Sequence, residues 1–167
     1  TFDPTAKITR AEVVTAFARV ACTNIDGCGD NLGFTDTKSG KWYSDSVGWA
    51  ADNGIVKGRG DGRFSPSDLI TRAELASILV NFIDYMGIEI PDNPKLDKFA
   101  DADTFANWMK APVEAVRKNG LMQGSDGKFN PKGNAMRAEV AQVIANLLPS
   151  VGRQGAVIDG ESDYVIV

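Results

Sequence analysis

The chain has 167 residues, 43% apolar and 24% charged, a balance that supports one packed globular domain without a cofactor signature. With 22 acidic against 18 basic residues the net charge is −4, and no lysine or arginine cluster stands out, which argues against nucleic acid as a partner and gives no reason for adsorption to an anionic membrane. No run of 18 apolar residues exists, so no membrane insertion is expected, and the absence of histidine excludes Ser-His and Cys-His nucleophile pairs.

Phe2-Asp3-Pro4 and then Ile8-Thr9-Arg10-Ala11-Glu12 open the chain. Thr9 as N-cap and Glu12 three residues on form a capping box, and Val13, Ala16, Phe17 and Val20 recur at helical spacing, predicting a helix over about 9–21. Residues 22–33 are a loop rich in glycine and aspartate that holds both cysteines, Cys22 and Cys28. Asp26-Gly27 lets this loop fold back, so a short disulfide is expected if the protein is exported; two free or buried thiols are the alternative. Two cysteines without histidine make no four-ligand zinc site.

Phe34-Thr35-Asp36 and Trp42 lead into a predicted helix at about 43–53, with Val47, Ala50 and Ala51 inward and Gly54 as its left-handed stop. Gly58-Arg59-Gly60-Asp61-Gly62-Arg63-Phe64-Ser65-Pro66 is turn chemistry throughout. Its Asp61-Gly62 lacks the flanking carboxylates of a calcium loop, and Arg59-Gly60-Asp61 is too short a match to an integrin tripeptide to carry weight. Thr71 and Glu74 repeat the capping box, and Leu75, Ile78, Leu79 and Phe82 predict a helix to about Tyr85, stopped by Gly87. A proline-bearing connector follows at 88–98.

From Phe99-Ala100-Asp101 the plan returns, with Asp103 or Thr104 expected to cap a short first turn. Pro112 sets the start of the next helix near Ala111, and Val113, Val116 and Leu121 face inward. Gly124-Ser125-Asp126-Gly127-Lys128-Phe129-Asn130-Pro131 precedes a last helix expected from Arg137 to Leu148, closed by Pro149. Met136 stands where Thr9 and Thr71 stood, so this helix loses its cap oxygen. The end, Asp163-Tyr164-Val165-Ile166-Val167, is strand-like and reads as a tail or linker over 151–167.

These elements form an internal repeat. Arg10, Arg72 and Arg137 are 62 and 65 residues apart, and the Phe-x-Pro units at Phe2, Phe64 and Phe129 keep the same separations. Trp42 and Trp108 each precede a glycine, Gly54 or Gly120, by 12 residues. The chain thus holds the second half of one repeat (about 1–21) and two full repeats (34–87 and 99–148), within a repeat domain over 1–150. Opening inside a repeat is what a trimmed fragment would show.

The ordered set of Trp, Gly-x3-Gly, Asp-Gly-x-Phe-x-Pro and Thr-Arg-Ala-Glu (Met-Arg-Ala-Glu in the last unit) resembles the S-layer homology (SLH) domain of bacterial surface proteins. The resemblance implies an all-α, pseudo-threefold assembly of helix-loop-helix repeats with grooves between lobes. It also implies non-covalent anchoring of an exported protein by an acidic, pyruvylated-type secondary cell-wall polysaccharide, a peptidoglycan-linked glycan. Self-association into a surface array is the rival role, and catalysis a distant third.

On this reading Arg10, Arg72 and Arg137 are glycan-binding candidates, because a guanidinium at a helix start adds a planar fork to the open N–H groups there. The competing role is structural: each arginine bonds neighbours or a loop carbonyl. Glu12, Glu74 and Glu139 are capping residues first. Trp42 and Trp108 are taken as core anchors ahead of sugar-stacking platforms. The Arg72 site is expected to be the strongest, with Lys57 of Gly-x3-Gly as its second cation; Gln123 is the neutral counterpart of Lys57 near Arg137.

Overall fold

A computed structural model describes residues 3–30, 32–93 and 96–155, the side chains of 152–155 excepted. Phe2 and the strand-like tail at 163–167 lie outside the described residues. Five α-helices form: α1 (Arg10–Ala21), α2 (Ser44–Asp52), α3 (Arg72–Met86), α4 (Asn107–Lys118) and α5 (Arg137–Gly155). A 3-10 turn at Ala102–Thr104 precedes α4. Among the described residues extended pairing is confined to isolated bridges, and the chain is all-α as the repeat predicts.

The helix starts follow the capping chemistry. Thr9 and Thr71 accept from the N–H groups of Glu12 and Glu74 at 3.3 Å, and the two glutamates accept from the threonine N–H groups at 2.8 and 2.9 Å. α5 keeps half of the box, with Met136 N–H donating to Glu139 at 2.9 Å. Gly87 ends α3 in the left-handed region at φ +63°.

Prolines do not set the boundaries expected of them. α4 starts at Asn107 rather than near Ala111, which puts Pro112 in its second turn, where it has no N–H to give the Trp108 carbonyl. Burial of Phe105 and Met109 holds the extra turn in place. α5 does not close at Leu148: it runs through Pro149 to Gly155, with Leu147 buried before the proline and Val151 packed on the core after it. Asp103 and Thr104 lie within the 3-10 turn instead of capping it; Asp101 precedes it, its carbonyl accepting from Thr104 Oγ1 at 2.7 Å.

α1 contacts both α3 and α5, while α2 lies on α1 and α4 on α3. Phe17 of α1 stacks on Phe82 of α3 with ring centroids 4.8 Å apart. Leu75, Leu79, Val140, Val143 and Leu147 complete the shared core, and burying a side chain of this kind stabilises by about 1.5–3 kcal/mol. Among the described residues α5 carries no helix equivalent to α2 or α4, and Leu148 stays 52% exposed where Ile83, its counterpart on α3, is buried.

The three helix starts are joined in a ring. Ile8 N–H donates to the Ala135 carbonyl at 3.2 Å, Ala135 to Ile70 at 2.9 Å and Ile70 to Ile8 at 3.0 Å. Around it runs a second ring: Arg10 N–H to Asp68 at 3.0 Å, Arg72 to Gly133 at 2.8 Å and Arg137 to Ala6 at 2.9 Å. Each repeat therefore hands the open N–H groups of its helix start to the loop of the next, and the last hands them to the first.

The Phe64 and Phe129 turns are each held from 28 residues away. Asp36 accepts from the N–H groups of Phe64 and Ser65 at 2.8 and 2.7 Å, and Asp101 from those of Phe129 and Asn130 at 2.9 Å each. Ser65 and Asn130 sit at φ +59° and +54°, a conformation that costs an L-residue roughly 1–2 kcal/mol. The aspartate offsets that cost with two charge-assisted bonds. Gly58 and Gly124 close the same loops: a Cβ at either would press on the carbonyl of Arg63 or Lys128. Asp36→Ala is expected to lower the unfolding free energy by about 2 kcal/mol, and Asp36→Asn by less, in urea denaturation.

Candidate functional site

The repeat arginines leave their own units. Arg10 donates through Nε to the Phe64 carbonyl (2.8 Å) and through the guanidinium ends to Glu74 (3.2 Å) and the Lys57 carbonyl (3.4 Å). Arg72 repeats this one unit on, with Phe129 (2.7 Å), the Gln123 carbonyl (2.7 Å) and Glu139. Arg137 closes the circle on Glu12 at 2.6 Å. Arg10 and Arg72 also lie over the phenylalanines whose carbonyls they bond, 4.9 and 4.7 Å from the Phe64 and Phe129 ring centroids. The arginines thus take up the structural role weighed above, and Glu12, Glu74 and Glu139 combine capping with ion pairing.

Several expectations change. The first N–H groups of the helix starts are occupied by the neighbouring loop, so they are not open to a ligand. Lys57 belongs with Arg10, not Arg72, because Arg10 and Arg72 each reach the Gly-x3-Gly element of the following unit; Gln123 likewise belongs with Arg72 rather than Arg137. Trp42 and Trp108 are not core anchors: they are 65% and 52% exposed, and the buried tryptophan is Trp49, set edge-on to Tyr85. Trp108 also lies inside α4 rather than ahead of it. Cys22 and Cys28 are free thiols rather than the expected bonded pair. Cys22 occupies the left-handed cap of α1, its Sγ donating to the Arg19 carbonyl at 3.4 Å, while Cys28 is half-buried where its carbonyl leaves no room for a Cβ on Gly48. The Arg59-Gly60-Asp61 tripeptide is held internally, Arg59 by Glu74 and Asp68, Asp61 by Arg63.

Two grooves of about 570 and 510 Å³ lie where an arginine meets the next unit. The first is lined by Arg10, Lys57, Arg59, Glu74, Asn81 and the exposed Trp108. The second is lined by Arg72, Leu121, Gln123, Glu139, Gln142 and Asn146. The sequence does not single out Asn81, Gln142 or Asn146, and it offers Arg59 only as part of a tripeptide, not as a groove cation. The first three do carry a spacing signal: Asn81 stands seven residues after Glu74 and Asn146 seven after Glu139, on the face of the same helix, with Gln142 between.

Burial pushes the Arg10 and Arg72 guanidinium groups below the ordinary arginine value, opposed by the charges of Glu74 and Asp101 respectively, and both remain cations. For Glu12 burial acts upward, but the bonds from Thr9 and the charge of Arg137 outweigh it and hold the carboxyl below its usual value. Among the described residues no three side chains of His, Cys, Asp or Glu gather to hold a metal.

The family model of the S-layer homology domain matches residues 33–76 and 98–141, one match on each of the two regions read as full repeats and ending before each does. The chain belongs to the S-layer homology family. It is 32% identical over 154 residues to the Surface-layer 125 kDa protein of Lysinibacillus sphaericus, a match that covers 90% of this chain and 12% of that protein. It is 32% identical over 152 residues to an Amylopullulanase of Thermoanaerobacterium thermosulfurigenes, covering 90% and 8%, and 28% identical over 166 residues to a Cellulosome-anchoring protein of Acetivibrio thermocellus, covering 95% and 36%. The chain spans only a minor part of each of these relatives. The S-layer homology match starts after α1, yet the segment leading into α1 and its first residue, Ala6, Ile8 and Arg10, supply the third member of both backbone rings.

Two outcomes follow for the arginine circle. Arg72→Ala removes a mostly buried cation with three partners and is expected to cost roughly 3 kcal/mol of unfolding free energy. Arg137→Ala removes a cation that is 38% exposed, and should cost about 1 kcal/mol or less in the same urea titration. Because the Glu12 carboxyl is held below its usual 4.5, its contribution is complete above that pH and is lost as pH falls through the lower folded-state value. Glu12→Gln should therefore flatten the fall in the urea midpoint between about pH 5 and pH 3.

Proposed function

We propose that this chain anchors a larger exported protein by binding an acidic, pyruvylated-type secondary cell-wall polysaccharide, and that the groove beside Arg10 is its main receptor. The coarser role, a surface-anchoring module at the cell wall or S-layer, follows from the family and from its S-layer and anchoring relatives. The observation that carries the finer reading is the gathering of Arg10, Lys57 and Arg59 opposite an exposed tryptophan face. Arg10 is only 4% exposed and committed to three partners, so it shapes the groove and sets its field. Lys57 is exposed, with no carboxylate within 4 Å among the described residues, and is the cation that meets a sugar carboxylate. Trp108 offers its ring to the apolar face of the sugar.

The chain is read as non-catalytic, with any enzymatic activity of a parent protein residing in other segments. Arg137, with Glu12 and Trp42, is read as a weaker contact point.

The experiment is co-sedimentation and calorimetry with wall polymer purified from a Gram-positive bacterium. Trp108→Ala should weaken binding about five- to tenfold, since a ring contact is worth about 1 kcal/mol, while leaving the urea midpoint in place. Full-strength binding by the variant, or failure of the parent chain to bind the polymer, would count against the assignment.

A further inference from the structure

We infer that the two grooves are receptors of different charge class: the Arg10 groove takes a carboxylate-bearing sugar residue, and the Arg72 groove takes an uncharged one bearing an amide. The inference rests on the wall-polysaccharide reading and goes beyond it by assigning a sugar class to each groove.

The grooves are built on equivalent elements, which makes their differences informative. Each has a buried arginine bonded to a Phe-x-Pro carbonyl, a Gly-x3-Gly carbonyl and a helix glutamate. In the Arg72 groove the one cation is matched by the one carboxylate, Glu139, and the electrostatics cancel. In the Arg10 groove three cations, Arg10, Lys57 and Arg59, meet Glu74 and also Asp68, 3.5 Å from Arg59, which leaves one positive charge in excess.

The excess has two sources. Lys57 replaces Gln123. The other source is loop length: Gly58-Arg59-Gly60-Asp61-Gly62-Arg63-Phe64 is one residue longer than Gly124-Ser125-Asp126-Gly127-Lys128-Phe129. The shorter loop closes as a tight turn, Ser125 and Lys128 exchanging bonds of 2.9 Å each way across Asp126-Gly127, and places no side chain of Arg59's kind over the groove. The longer loop closes one residue wider, Arg59 N–H to the Arg63 carbonyl at 2.8 Å, and carries the Arg59 guanidinium to within 2.9 Å of Glu74. Glu74 pairs with both arginines and Asp68 with Arg59, and among the described residues neither carboxylate pairs with Lys57. A sugar carboxylate is attracted there and gains no net field in the other groove.

The Arg72 groove has its own chemistry. Gln142 Nε2 donates to Asn146 Oδ1 at 2.9 Å, which orients both amides and leaves a carbonyl acceptor on Gln142 and an N–H donor on Asn146. With Gln123 they form a set of neutral donors and acceptors beside the edges of Leu121 and Val143. An N-acetyl group, apolar at its methyl and polar at its amide, matches that lining.

The test uses isotope-labelled chain with two probes: a hexose methyl glycoside carrying a 4,6-pyruvate ketal and no amide, and an N-acetylhexosaminide methyl glycoside without the ketal. The acidic probe should move the amide signals of Gly58 and Gly60, and the neutral probe those of Gly120 and Gly124. The double variant K57Q/R59S should bind the acidic probe at least tenfold more weakly and leave the neutral probe's shifts unchanged. Gln123→Lys should bring the acidic probe into the second groove. Both probes moving the same groove residues, or the double variant keeping the parent's affinity for the acidic probe, would overturn the inference and leave the wall-polysaccharide reading standing. If neither probe moves any groove residue, the inference and the reading beneath it fall together.

Discussion

Ile8, Ile70 and Ala135 each donate one backbone hydrogen bond and accept another, and no member of this circle can be withdrawn without opening two bonds. The ring around it, in which the N–H groups of Arg10, Arg72 and Arg137 donate to Asp68, Gly133 and Ala6, depends on sidedness. A helix start has N–H groups in excess, and the loop before it has spare carbonyls. If each repeat served itself, the units would be independent beads. Because each serves the next, the helix starts converge, and Arg10, Arg72 and Arg137 are carried across the unit boundaries to Glu74, Glu139 and Glu12. The grooves exist because of this handover, each having one wall from the unit that donates and another from the unit that accepts.

That origin separates two kinds of cation that look alike in sequence. Arginines that belong to the circle are matched by carboxylates, and Arg10 and Arg72 are largely buried as well, so their charge largely serves cohesion. Cations outside the circle, such as Lys57, lie on the Gly-x3-Gly rim and vary between units without disturbing the framework. A repeat protein can diversify its receptors in this way at constant architecture, by changing rim residues and loop lengths.

Legibility in the sequence followed the range of the interaction. The capping boxes at Thr9 and Thr71, the stop at Gly87 and the apolar faces of α1 and α3 are contained within a few residues and could be read directly. The pairing of Arg10 with Glu74 spans 64 residues, and no local rule says which glutamate an arginine will meet. Sequence order groups Lys57 with Arg72 of its own unit, whereas the contact crosses over to Arg10 of the unit before. Pro112 and Pro149 misled because a local penalty was outweighed by burial nearby, of Met109 in one case and of Leu147 and Val151 in the other. Trp42 and Trp108 were misjudged because a ring that suits a core equally suits a surface, and periodicity does not separate the two.

The circle also has a kinetic side. Its three bonds join residues at very different separations: Ile8 to Ile70 and Ile70 to Ala135 lie within a repeat or so, but Ile8 to Ala135 spans 127 positions of a 167-residue chain. Closing that span carries the largest loop-closure entropy of the three, and its return comes only after both other junctions are formed. Folding of this fold is consequently held back by its longest-range contact, unlike that of an open solenoid, where neighbours zip together locally. The same circularity slows the way out, because an edge from which unfolding could start is present at neither end of the ring.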